Sequence, residues 1–148
     1  MKTRSNDTVT ECKRLFGVEA DKALEWDSTG YNPDLKYYAI AVAGDCMDSD
    51  KSPIRVKNSD TIVIHRIPLT EISMWENVGK MVCVMLDGVI LIKHYVFWNG
   101  VRGGIVVRMY NPEQKDMFIP LDKIKAMFVV DGAYGKEYTQ AHTRPLLG

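Results

Sequence analysis

The apolar positions of this chain follow two different rhythms. Before residue 37, Cys12, Leu15, Phe16, Ala20, Ala23 and Leu24 recur at helical intervals behind Thr8-Val9-Thr10-Glu11, which has the spacing of a capping box. Gly17 interrupts that rhythm, so the spacing predicts one or two short helices closed by the turn-rich "DSTGYNPD". From Tyr37 the rhythm becomes that of strands. "YYAIAV", "DTIVIHR", "KMVCVML", "VILIKHYVFW", "GIVVRMY" and "IKAMFVV" are rich in β-branched and aromatic residues and are separated by turn signals. Asp87-Gly88 and Asn99-Gly100 suit the positive φ values of tight hairpin turns, and together they predict a three-stranded meander from Lys80 to Tyr110. The tail "YTQAHTRPLLG" reads as a loosely held terminus.

The pattern therefore predicts a mainly β protein with a short helical N-terminal segment: an arm and linker over residues 1–36, a strand domain over 37–135 and a tail over 136–148. A length of 148 residues is a common size for one domain and suffices for a real core. Lys plus Arg equals Asp plus Glu at 19 each, so no global basic field holds phosphates and direct DNA binding by this chain is not expected. Cys12, Cys46 and Cys83 are widely spaced and lack any CxxC, which argues against a disulfide scaffold or zinc knuckle and fits a reducing cytoplasm. The histidines have no metal-ligand spacing, so neither a metal nor another cofactor is expected. Apolar stretches fall far short of the roughly 20 residues that span a bilayer, and no export signal follows Met1, so no membrane association is expected.

Two residues carry candidate chemistry. Lys93 lies in the middle of the most apolar strand, "GVILIKHYVFW". It is either an edge-strand lysine that discourages aggregation or a desolvated amine whose lowered pKa suits a general base. Cys46 follows Gly44-Asp45 at the end of a strand-like run. It is either a packed thiol or a nucleophile on a turn whose backbone N–H groups line an oxyanion site, with Gly44 permitting close backbone approach. Cys83, inside "KMVCVML", reads as core. A Cys–His pair is a further arrangement: His65 is open to it, whereas His94 should face away from Lys93, so at most one of those two can meet Cys46.

Taken in order, "VAGDCMDSD…SPIRVKNSDTIVIHR", "GKMVCVMLDGVILIKHY", "VVRMYNPEQKDMFIP" and "IKAMFVVDGAY" resemble the C-terminal peptidase domain of LexA, UmuD and phage repressors. The likeness covers about Tyr37 to Tyr134. It implies a signal-peptidase-like coiled β-sheet domain, commonly dimeric, acting in transcription regulation by autocleavage. Cys46 stands at the nucleophile position of the family's Ser/Lys dyad, Lys93 at that of the general base, and Gly44, Asp45 and Met47 complete the nucleophile turn. The implied partners are a second copy of the chain and, as peptide substrate, its own or a partner's N-terminal segment.

The chain departs from the family's pattern at several points. Cysteine replaces serine at Cys46, the proline expected soon after Met47 is displaced to Pro53, and Ser59-Asp60 stands where Gly-Asp is usual. The cleavage dipeptide is missing upstream, since Ala43-Gly44 lies in the nucleophile turn itself, and the residues before Tyr37 are too few and too broken for a helix-turn-helix. A thiol near about 8.5 is more acidic than a lysine near about 10.4, so a polar Cys–Lys pocket favours thiolate and ammonium. A thiolate also leaves a tetrahedral intermediate more readily than an amine does, which slows amide cleavage. The alternative reading is a non-catalytic dimerisation or partner-binding module on the same fold.

Overall fold

The computed structural model describes residues 24–27 and 30–145. They form nine strands of one sheet: β1 (Leu24–Trp26), β2 (Tyr38–Ala41), β3 (Thr61–Ile67), β4 (Met81–Leu86), β5 (Val89–Asn99), β6 (Gly104–Arg108), β7 (Met117–Pro120), β8 (Ala126–Tyr134) and β9 (Thr143–Pro145). Two short α-helices, α1 (Glu71–Glu76) and α2 (Lys136–His142), and a 3-10 turn at Leu121–Lys123 accompany the sheet. The strand order is β7-β6-β5-β4-β8-β3-β2-β1-β9, and every neighbouring pair is antiparallel. The protein is mainly β, as the strand rhythm predicts.

The meander β4-β5-β6 forms as expected, but its two turns differ. Leu86 pairs with Val89, so Asp87-Gly88 is the whole first loop, and Gly88 alone takes a positive φ, 71°. In the second, Asn99 pairs with Gly104, which leaves a four-residue loop whose left-handed residue is Gly103 rather than Asn99 or Gly100. Asn99 caps that loop: its carbonyl accepts from the Gly103 amide at 2.8 Å and its side-chain oxygen from the Arg102 amide at 3.0 Å.

Strands β4, β8 and β3 lie in the middle and bury both faces, which is why they read as unbroken apolar runs. On one face Ile62, Ile64, Cys83, Met85, Phe128 and Val130 pack against Met47 and Val56. On the other, Val82, Val84, Met127 and Val129 pack with Met74 of α1 and with Tyr95, Trp98 and Ile105. Thr70 caps α1, its hydroxyl accepting from the Ser73 amide at 3.2 Å.

Several expectations are corrected. Leu24 belongs to β1, not to a helix; the rest of the expected helical arm, residues 1–23, lies outside the described residues. The tail is not loose up to residue 145: α2 and β9 follow β8, and β9 pairs with β1. Asp27 receives a His142 Nδ1 contact at 2.9 Å, Arg144 reaches Glu25 at 3.1 Å, and Trp26 stacks on Tyr134 at 5.2 Å between centroids. The sheet thus extends past both ends of the predicted 37–135 domain. The start of β8, "AMFVV", is buried between β4 and β3, so the implied dimer would not pair through this strand.

Candidate functional site

The Cys46 turn is built by short-range hydrogen bonds. Gly44 takes φ 103°, a conformation that side chains disfavour, and its amide donates to the Asn58 side-chain oxygen at 2.8 Å. The Asp48 amide closes on the Asp45 carbonyl at 2.9 Å, and the Met47 carbonyl accepts from Val56 at 3.1 Å. Met47 is only 2% exposed and seats the turn on the first core face, beside Val56. Because Asn58 already occupies the Gly44 amide, that group is not free for an oxyanion. The Cys46 and Met47 amides make no hydrogen bond among the described residues.

Cys46 itself is partly exposed and, like Ile90 and Ile92 of β5, packs against the first core face. Its Sγ lies 3.9 Å from the Ile92 carbonyl oxygen, a long, weak contact. Strand β6 pairs with β5 only from His94 onward, so the stretch of β5 before His94 has an open edge on that side, and Cys46 sits there.

Lys93 occupies the adjacent position on β5. It is paired with Val82, which belongs to the opposite core face, and side chains alternate along a strand. Lys93 therefore shares the face of Leu91 and Tyr95, whereas Cys46 shares that of Ile90 and Ile92. The structure brings the turn and the lysine-bearing segment together but forms no sulfur–amine hydrogen bond between them.

His94 falls on the Cys46 side of the sheet, opposite Met81. Its Nδ1 is 2.6 Å from the Tyr110 hydroxyl. Arg108, its neighbour across the β5–β6 ladder, donates in a fork to Asp116 at 2.8 and 2.9 Å. The Arg108 pair lowers the Asp116 pKa, chiefly through that hydrogen bond. Burial, then the Arg108 cation, lowers that of His94. The backbone after Tyr110 completes the contact with the turn: the amides of Tyr110 and Asn111 donate to the Cys46 carbonyl at 3.2 and 2.9 Å.

His65 has a carboxylate partner, Asp131, at 2.6 Å. It cannot serve Cys46. His65 pairs with Val129 and lies edge-on to Tyr37, on the sheet face away from the Cys46 turn. Cys83 is fully buried, and burial pushes its thiol up to about 12. Among the described residues no three His, Cys, Asp or Glu side chains gather as metal ligands, and no helix is long and apolar enough to cross a membrane.

Sequence reasoning missed Tyr110, Arg108, Asp116 and the bonded role of His94. "RMY" at the end of a strand carries no spacing signal, since these contacts depend on how the β6–β7 connection folds back. Comparison with known protein families and with characterised proteins finds no match.

Proposed function

We propose that this chain is a LexA-like domain of the repressor class that binds an extended peptide segment along the open edge of β5 and holds its cysteine uncoupled from the lysine. The ordered motifs from Gly44 to Tyr134 support the likeness, and the single antiparallel sheet agrees with its coarse architecture. The observation that carries the reading is the position of Cys46 Sγ on the Ile92 carbonyl, where β5 has no strand neighbour on its β6 side, with Lys93 alternating to the opposite face. An open edge offers main-chain donors and acceptors to an extended segment, the usual basis of strand addition. The occupant is the N-terminal segment of this chain or of a partner. A homodimer would use a surface other than β8, and any role at an operator would come through a DNA-binding partner.

A second reading, an active Cys/Lys peptidase, draws on the same contact: the sulfur meets the residue immediately before Lys93. Incubating the purified chain and its Cys46→Ser variant at mildly alkaline pH, with mass spectrometry of the products, separates the two. Intact chains support the binding module. Truncation at one fixed peptide bond that Lys93→Met abolishes would establish the peptidase instead.

A further inference from the structure

We propose that Tyr110 is a positioning residue for the Cys46 turn and that His94 is its pH-sensitive anchor. The inference rests on the reading of Cys46 as the site residue given above, but not on any catalytic coupling to Lys93.

Arg108, forked onto Asp116, lies directly across the β5–β6 ladder from His94, and the Tyr110 hydroxyl is 2.6 Å from His94 Nδ1. In the proposed clamp the neutral ring accepts from Tyr110 at Nδ1, so the Tyr110 ring is held at its hydroxyl while its backbone amide and that of Asn111 hold the Cys46 carbonyl. These contacts tie the middle of β5 and the segment after β6 to the Cys46 turn. Asn111 adds a side-chain bond to the Asp48 carbonyl at 3.4 Å. Met47 and the bonds to Asn58 and Val56 anchor the rest of the turn, and the clamp sets how freely the sulfur leaves Ile92.

An imidazolium has no acceptor nitrogen, so a protonated His94 can no longer accept from Tyr110 and sets a second cation beside Arg108, its partner across the β5–β6 ladder. The charged and titratable groups around the ring are Arg108 from β6 and Tyr110 and Asp116 from the β6–β7 connection. Lys80, at the start of the β4 side, is held by the Asn77 side-chain oxygen at 2.9 Å. Burial and Arg108 keep the folded His94 neutral to lower pH than a free histidine. By linkage, the clamped state binds fewer protons than the released state below the ordinary histidine value of about 6.5, so falling pH favours release.

Alkylation of Cys46 by iodoacetamide, read by peptide mass spectrometry between pH 5.5 and 8, tests this on the full chain. Tyr110→Phe keeps the ring and removes the anchor. It should raise the Cys46 rate over wild type by about three- to ten-fold at pH 7.5, the equilibrium factor of one hydrogen bond. That ratio should fall toward one as the pH drops below about 6.5, because wild type then releases its own clamp. His94→Asn, which retains an acceptor but cannot be protonated, should match wild type at pH 7.5 and react more slowly than wild type below about pH 6.5, and it serves as the test if Tyr110→Phe fails to fold. A Tyr110→Phe ratio of one at pH 7.5, a raised ratio independent of pH, or a His94→Asn to wild-type ratio that stays at one at low pH would overturn the proposal. None of these readings depends on whether Lys93 is coupled to Cys46.

Discussion

Met47→Ala removes the side chain that seats the Cys46 turn on the sheet. Met47 is 2% exposed and packs against the face formed by Ile62, Ile64, Cys83 and Phe128, so truncation exposes or empties the space between turn and sheet. Buried methionine-to-alanine changes cost about 2–5 kcal/mol, and a site in the outer layer, where the loop can settle inward, belongs in the lower half. We expect a loss of about 2–3 kcal/mol, which for a domain near this size lowers the melting temperature by about 4–12 °C. Circular dichroism melts and urea titrations of Met47→Ala and of the volume-conserving Met47→Leu provide the assay. Met47→Leu should stay within about 1.5 kcal/mol of wild type. A Met47→Ala loss below about 1 kcal/mol would refute the reasoning, since it would mean that the turn is not held by this side chain.

Two further outcomes are expected. Gly104→Ala should destabilise by about 2 kcal/mol or more in a urea titration, because the added carbon would fall against the Ile119 carbonyl and within 2.6 Å of the Phe118 ring, where β7 crosses; a neutral effect would contradict the β6–β7 register. Cys83 should resist alkylation in the native protein while Cys46 reacts. Its buried thiol, pushed up to about 12, stays protonated in the fold after the unfolded chain ionises, so stability should fall as pH rises from about 9 toward 12. Cys83→Val should flatten that part of the alkaline slope in pH-dependent denaturation, and an unchanged slope would count against it.

How much of this was legible in the sequence follows from the range over which each feature is determined. The meander could be read because Asp87-Gly88 sits between two apolar runs and the hairpin it closes is local. β1 and β9 could not, being three residues long and paired with each other across most of the chain, and β7, four residues long, follows an irregular connection from β6. α1 was hidden by its own surface: Ile72 and Trp75 are 71% and 58% exposed, so "EISMWE" lacks a clean amphipathic period. The approach of the Cys46 turn to the Lys93 segment was legible in the ordered motifs. The side on which Lys93 falls was not, because it depends on which residue of β5 pairs with Val82, and a shift of one residue would reverse it. The His65–Asp131 pair was equally out of reach, as it joins residues 66 apart beside a register shift between β3 and β8.

The central claim is that Cys46 rests at the open edge of β5 without electrostatic help from Lys93. The most direct measurement is the rate of Cys46 alkylation against pH, from 6 to 9, in wild type and in Lys93→Met, which has similar length and no charge. The account predicts superimposable profiles. A slower Lys93→Met profile near neutral pH, with its inflection moved to higher pH, would show a thiolate that depends on the ammonium and would contradict it.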